Sequence, residues 1–122
     1  MHELGLVIDA VEMTERYAVE NDVEQIQTLV LRIGEGFSAV PAMMQSVYRQ
    51  AIKGTLLEDS RLEIEIVEAQ AICAVCRGSF NPLREKGVCP FCGASRYEVI
   101  SGKEFEIKEI IAKQKAQSYE ER

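Results

Sequence analysis

With 122 residues, the chain has the length of one domain, or of one domain that carries a small inserted module. Its hydrophobic fraction of 47% is ordinary for a packed core, and no apolar run reaches the length of about 18 residues that a membrane span requires. The formal net charge of −6 argues against nucleic acid as a ligand, because an acidic chain repels phosphates. No basic start precedes an apolar stretch, so no signal peptide is predicted and the cytoplasm is the expected compartment.

The N-terminus has the composition of a metal chelate. His2 is the only histidine of the chain and lies one peptide bond from the amine of Met1. This amine, the backbone nitrogen of His2 and its imidazole can close adjacent rings around one ion, and Glu3 adds a carboxylate close by. Such nitrogen donors suit Ni(II) and Cu(II), which prefer square-planar or tetragonal geometry. A histidine near a frayed terminus more often has no function, but an apolar helical pattern that begins at once with Leu4 favours the metal interpretation.

Two helices and a strand are predicted in the first half of the chain. Apolar residues at helical spacing indicate a first helix from Glu3 to Glu20. Residues 25–33 are rich in branched side chains and too short for a helix, which predicts a strand. For a second helix, Ser38 is the expected N-cap and Pro41 suits the first turn. The apolar spacing extends this helix to about residues 53–57.

Two further strands are predicted from the alternation of apolar and charged residues. In residues 61–68, the side chains of Leu62, Ile64 and Ile66 share one face and glutamates share the other, and residues 104–108 repeat this pattern. The predicted fold is therefore α+β, with two helices packed on one face of a three-stranded sheet and a glutamate-rich face in water. A cysteine-containing segment interrupts this domain, which gives predicted boundaries of 1–69 plus 103–116 for the α+β domain, 70–102 for the inserted module and 117–122 for a polar tail.

The module contains two cysteine pairs, each with two residues between its members: Cys73, Cys76, Cys89 and Cys92. Two such knuckles can complete a tetrahedral sulfur shell, a geometry that zinc accepts without electronic preference. In a reducing compartment, paired cysteines favour a metal site over disulfides. Because cysteine fills every ligand position, the predicted zinc site is structural rather than catalytic, and metal binding would stabilise this small module.

Three alternatives stay open for the module. Iron in a rubredoxin-like site uses the same knuckles. A redox CxxC motif is less favoured, because neither pair opens a helix in a βαβ unit. A nucleic-acid-binding zinc ribbon would explain four basic residues, although these can equally offset the negative charge of a zinc tetrathiolate, and the acidic chain with few aromatic residues favours that reading. The four are Arg77, Arg84, Lys86 and Arg96.

These features together resemble the HypA/HybF family of hydrogenase nickel-incorporation metallochaperones. The resemblance rests on Met1-His2-Glu3 at the head of a helix, a small α+β domain and a CxxC…CxxC insertion before the last strand. The stretches Arg32-Ile33-Gly34-Glu35 and Ser38-Ala39-Val40 also resemble this family. The resemblance covers nearly the whole chain and implies a nickel carrier, not an enzyme. It implies work with the nickel-handling GTPase HypB and the hydrogenase large-subunit precursor.

The resemblance also implies the site residues. Met1, His2 and Glu3 would bind Ni(II) as transient cargo, and the four cysteines would hold structural zinc. Some family members have an acidic residue near nickel where this chain has Val40 and Pro41, and Glu35 could substitute for it. The expected function is delivery of Ni(II) to the precursor of [NiFe]-hydrogenase, without a nucleic-acid or membrane partner and with a homodimer as one assembly. The alternative is a zinc-ribbon adaptor or regulator that binds protein or nucleic acid.

Overall fold

The computed structural model describes residues 3–37 and 39–114. Met1, His2, Ser38 and the predicted tail at 117–122 lie outside the described residues. The elements found, in chain order, are α1 (Glu3–Glu20), β1 (Val23–Gly34), a 3-10 turn (Glu35–Phe37), α2 (Pro41–Ala51), β2 (Arg61–Val67), β3 (Gln70–Cys73), β4 (Ser79–Phe80), β5 (Tyr97–Ser101) and β6 (Phe105–Gln114). The predicted α+β class is confirmed.

The first helix has the predicted bounds, whereas the second is shorter than predicted and begins differently. Helix α2 ends at Ala51. Just after it, the hydroxyl of Thr55 donates to the carbonyl of Ile52 at 2.8 Å, so it occupies an acceptor that a further helical turn would use. Between these two residues, Gly54 has φ +79°, a conformation that ends helices. The N-cap is Val40, so the prediction of Ser38 as N-cap was wrong.

Strands β2, β1 and β6 form one three-stranded sheet in that order, with β1 in the centre. Arg32 on β1 lies between two glutamates, Glu65 of β2 at 3.4 Å and Glu106 of β6 at 3.2 Å. Carboxylates on both neighbouring strands thus meet a cation on the central one, which is a favourable cross-strand arrangement. The predicted polar face of the sheet therefore carries a charge ladder.

Two features of the strands go beyond the sequence pattern. Ile66 is 48% exposed although Leu62, on the same predicted face, is only 5% exposed. Alternation assigns a face of a strand but does not say how much of that face is covered. Strand β6 continues to Gln114, so the predicted end at Lys108 was wrong; the sequence loses its alternation after Lys108, and alternation was the only signal for this strand.

The chain divides into two compact units. One comprises Met1–Leu31, Ala39–Ile64 and Ile107–Arg122, and its core includes Ile26, Leu29, Met44 and Leu57. The other comprises Arg32–Ser38 and Glu65–Glu106 and has its own buried cluster of Ala71, Cys73, Phe80 and Cys89. Of the helices among the described residues, none has the length and apolar composition needed to cross a bilayer.

The second unit contains a close approach of three backbone segments. The N–H of Gly34 donates to the carbonyl of Glu104 at 2.7 Å, and the N–H of Gly36 donates to the carbonyl of Gly102 at 2.8 Å. A Cβ on Gly34 would lie 2.1 Å from the carbonyl carbon of Gly102. Gly102 itself has φ +99°, and a Cβ there would lie 2.5 Å from the Cα of Ala69. Neither position has room for a side chain.

A pair of glycine substitutions tests this packing. We expect Gly34→Ala to lower the free energy of unfolding by about 3 kcal/mol, because the backbone that a methyl group would meet cannot move aside cheaply. Gly5→Ala is the matched control, since Gly5 lies in α1 with open space around its Cα. That variant should be more stable than wild type by about 0.5–1 kcal/mol, through helix propensity. Urea unfolding followed by circular dichroism measures both, and equal effects would contradict the close approach.

Candidate metal centre

The four cysteines converge in the second unit, as the spacing predicts. Their sulfur atoms all lie within 4.8 Å of one another, with Cys73 and Cys89 buried and Cys76 and Cys92 exposed. The sulfur of Cys73 lies 3.6 Å from that of Cys92, and the sulfur of Cys76 lies 3.6 Å from that of Cys89. A disulfide needs about 2.05 Å, whereas sulfurs around a tetrahedral zinc are separated by about 3.8 Å for Zn–S bonds of 2.3 Å. The distances fit a shared metal ion.

The first knuckle is held by the backbone around Cys73. Its carbonyl accepts from the N–H of Arg77 at 3.1 Å, and its N–H donates to the carbonyl of Gly78 at 2.8 Å. Arg77 adopts φ +67°, which reverses the chain after Cys76. A Cβ on Gly78 would lie 2.7 Å from the ring of Phe91, so a larger residue at this position would displace the ring that covers the turn.

The second knuckle repeats the first. The carbonyl of Cys89 accepts from the N–H of Gly93 at 2.9 Å, and its N–H donates to the carbonyl of Ala94 at 2.8 Å. Gly93 has φ +80°, so it occupies the position that Arg77 fills in the first knuckle. Glycine favours this left-handed conformation at position 93, whereas in the first knuckle a non-glycine residue, Arg77, adopts it.

Backbone amides point at the first sulfur of each knuckle. The sulfur of Cys73 accepts from the N–H of Val75 at 3.3 Å and from that of Cys76 at 3.5 Å, and the sulfur of Cys89 accepts from Phe91 at 3.4 Å. Hydrogen bonds to the thiolate favour ionisation. The amides of Cys76 and Val75 lower the pKa of Cys73 to about 6, so this thiol is ready to act as a ligand near neutral pH.

A second thiolate in the same cluster is costly without a cation. The N–H of Gly78 favours the thiolate of Cys76, but burial and the neighbouring sulfurs outweigh it and raise the pKa of Cys76 to about 11. Thiols whose sulfurs lie a few ångströms apart cannot all ionise unless a positive ion lies between them. The donor set therefore fits a divalent metal that prefers thiolates and accepts a tetrahedral shell.

Glu35 was a candidate nickel carboxylate, and the structure places it in a different role. Its Oε1 accepts from the N–H of Ala69 at 2.9 Å and from the side-chain amide of Asn81 at 3.1 Å. The other end of Asn81 accepts from the N–H of Leu83 at 2.9 Å and of Arg84 at 3.1 Å. Glu35 thus connects the turn after β1 to the segment that leads into the cysteines and to the loop between the knuckles. Nothing in the sequence singled out Asn81.

Of the predicted nickel residues, Glu3 alone lies within the described part of the chain. It is the first residue of α1 and is only 5% exposed. Its Oε2 accepts from the N–H of Val40, the N-cap of α2, at 3.1 Å, which is the bond that a glutamate at the third helical position makes in a capping box. Pro41 at the start of α2 has no N–H to satisfy. Glu3 therefore ties the start of α1 to the start of α2.

Comparison with known proteins identifies the family. Residues 1–112 match the family model described as hydrogenase/urease nickel incorporation, metallochaperone, hypA. The chain belongs to the HypA family. Members of this family are metallochaperones that act in nickel incorporation during hydrogenase maturation, so the chain is not an enzyme.

Individual relatives agree along nearly the whole chain. The HypA hydrogenase maturation factor of Geobacter sp. strain M21 is 36% identical over 110 residues, which cover 90% of this chain and 97% of the relative. That of Moorella thermoacetica is 34% identical over 112 residues, covering 88% and 95%. The solution structure of the Ni metallochaperone HypA from Helicobacter pylori covers 94% of this chain and all of its own, with a TM-score of 0.68 at 23% identity. At that identity the likeness shows a shared fold.

The role of Glu35 in this HypA-family chain makes stability depend on pH. The N–H of Ala69 and then the amide of Asn81 lower the pKa of Glu35 from its ordinary value of 4.5. Its ionised form therefore stabilises the folded state above that value, and the contribution is lost as the pH falls through the lower folded-state pKa. We expect Glu35→Gln to be less stable than wild type at pH 7, with a difference that shrinks below about pH 4.5.

Urea unfolding of both proteins from pH 7 to pH 3 measures this difference. Glu85→Gln is the matched control, because it removes the same charge from an exposed side chain with no hydrogen bond or ion pair among the described residues. A stability difference for Glu35→Gln that stays constant with pH, or one that Glu85→Gln reproduces, would rule out the carboxylate bonds as its cause.

Proposed function

We propose that the chain binds Ni(II) at its Met1-His2-Glu3 start, with ligands from Met1 and His2 and with Glu3 as the residue that positions them, and delivers it to the precursor of [NiFe]-hydrogenase, while the four cysteines hold structural zinc. The observation that carries this proposal is the family match from residue 1, which includes the Met-His-Glu start as well as the cysteine cluster. In this assignment the α+β domain, residues 1–69 plus 103–116, handles nickel, and residues 70–102 form the zinc module.

The two metals are separated by ligand type. The amine of Met1 and the backbone and imidazole nitrogens of His2 suit Ni(II), whereas thiolates hold zinc and would compete for soft ions. A carrier also has to release its cargo, and a site with a single imidazole can be completed or emptied by a docking partner. Zinc bound to four thiolates has no open position, which suits a permanent structural ion.

Glu3 acts in this proposal as a positioning residue. Its buried carboxylate binds the N–H of Val40 and so fixes the first turn of α1, the turn to which His2 is joined covalently. A chelate that extends from a fixed helical turn has fewer conformations to lose when it closes on the ion. The same contact links the position of the start of α2 to the conformation of the N-terminus.

The partners follow from the family. We assign the maturation GTPase HypB as the nickel-handling partner and the hydrogenase large-subunit precursor as the recipient, in the cytoplasm, with a homodimer as one assembly state. Neither nucleic acid nor membrane has a place in this function. The alternative, a zinc-ribbon adaptor or regulator, gains no support from the family match, whose description concerns nickel incorporation.

A nickel titration tests the terminal chelate. We expect untagged, zinc-loaded protein to bind one Ni(II) per chain, and we expect a version with Gly-Ser-Gly-Ser added before Met1 to lose this binding, because the α-amine is then too far from His2 to close the chelate. His2→Ala should lose it as well. Isothermal calorimetry gives stoichiometry and affinity, and metal analysis of the same samples gives one zinc per chain without iron. Equal nickel binding by the extended protein would refute the terminal chelate.

Two substitutions of Glu3 separate positioning from direct ligation. Glu3→Gln keeps an oxygen that can accept from Val40, whereas Glu3→Ala removes it. We expect Glu3→Ala to weaken nickel binding about tenfold, the usual effect of removing a group that orients a ligand, and Glu3→Gln to stay within about twofold of wild type. Nickel titration measures both. If Glu3→Gln binds as weakly as Glu3→Ala, the carboxylate itself is a nickel ligand.

A further inference from the structure

The sheet of the cysteine unit has one face that its core does not use. Strand β3 pairs antiparallel with β5, and Ala71 and Cys73 lie on the face that forms the buried cluster. Ile72 alternates with them and pairs with Glu98 on the opposite face. The N–H of Ala74 donates to the carbonyl of Arg96 at 3.0 Å and continues this ladder beyond Cys73.

This opposite face contains a groove of about 490 Å³. Its apolar floor includes Ile72 and Ala74, and its charged lining consists of Arg77, Arg96 and Glu98. The position of Arg77 is fixed by its left-handed backbone conformation at the end of the first knuckle. The groove thus has two arginines beside an apolar floor.

The two guanidinium groups are available to a ligand. Among residues 3–37 and 39–114, neither Arg77 nor Arg96 has an ion pair or a side-chain hydrogen bond, whereas Arg84 pairs with Glu68 and Arg32 pairs with two glutamates. In a chain with a net charge of −6, two unpaired cations in one groove form a local exception. Arginine binds carboxylates with two parallel hydrogen bonds, which favours carboxylate as the ligand group.

The edge of the sheet determines the shape of ligand that fits. Strand β5 is the outer strand in the order β4-β3-β5, so its second edge has no partner strand among the described residues. An exposed edge can pair with an extended segment from another chain, and alternate side chains of that segment then face the groove. Glu98 disfavours a nucleic-acid backbone, which is uniformly anionic, but allows a peptide that carries carboxylates only where the arginines lie.

We propose that this groove binds an extended protein segment that carries carboxylates, with long apolar side chains that reach across β5 toward Ile72 and Ala74 and with its carboxylates on Arg77 and Arg96. The inference rests on the proposed function, because it gives the zinc module the task of docking a protein of the nickel-delivery pathway. The segment is added beside β5, and its charges set its register.

The test uses a synthetic peptide, acetyl-Leu-Thr-Glu-Thr-Leu-Thr-Glu-amide, in which leucine and glutamate alternate on one face of the extended chain, titrated into the full, zinc-loaded, ¹⁵N-labelled chain. We expect saturable amide shift changes at Ile72, Ala74, Arg96 and Tyr97. Arg77→Asn should weaken binding about tenfold, because one charge-assisted contact is lost while asparagine still adopts a positive φ. Lys86→Asn is the matched control, since Lys86 also has a positive φ of 57° in the same unit and does not line the groove. Its affinity should equal that of wild type.

The proposal is overturned by an absence of shift changes in the groove, by equal weakening in Lys86→Asn, or by equal binding of the corresponding peptide with lysine in place of glutamate. Shift changes in the groove with an oligo(dT) octamer but not with the glutamate peptide would also overturn it, in favour of nucleic acid. Nickel titration of the same variants keeps the two proposals apart. Both variants should bind Ni(II) as wild type does, and a wild-type chain that binds no Ni(II) contradicts the nickel function while leaving the groove result intact.

Discussion

Four sulfur atoms within 4.8 Å of one another are the constraint on which the second unit depends. Two of them, on Cys73 and Cys89, are also part of its small buried cluster, so the metal site and the apolar core are the same place. A cluster this small provides little hydrophobic stabilisation, and the metal must supply what the core lacks. The backbone supports this site: its amides donate to the sulfurs of Cys73 and Cys89, and two residues in the left-handed conformation, Arg77 and Gly93, reverse the chain after each pair.

Glu35 extends this organisation beyond the cysteines. One carboxylate oxygen of Glu35 accepts hydrogen bonds from Ala69, just before β3, and from Asn81, between the two knuckles. The N–H groups of the glycines on either side of Glu35 donate to backbone carbonyls of the segment that follows β5. The entry and exit of the cysteine segment are therefore both fixed on the same short turn after β1. This explains why Gly34, Glu35 and Gly36 occur together: two of them allow close backbone contact, and the third supplies an acceptor between two buried donors.

The sequence predicted those features that follow from local patterns and spacing. Helix α1, the alternating strand β2 and the tetrahedral cysteine cluster were of this kind, because periodicity and CxxC spacing are read along the chain. It could not predict contacts between distant residues: Asn81 meets Glu35 across 46 positions, and Glu3 meets Val40 across 37. The added length of β6 likewise depends on its place beside β1 in the sheet, whereas the early end of α2 comes from the local turn at Gly54 and Thr55.

The bond between Glu3 and Val40 bears on how a nickel carrier works. Carboxylates are the usual complement to the start of a helix, and here the carboxylate comes from another helix. In the proposed function, a rearrangement of the backbone that closes a chelate at His2 acts on this contact, because Glu3 directly follows that histidine. A partner that shifts the start of α2 would in turn act on the terminus. The proposed binding and release of Ni(II) would thereby be linked to the position of a helix, a form of coupling that requires no second metal ligand from the fold.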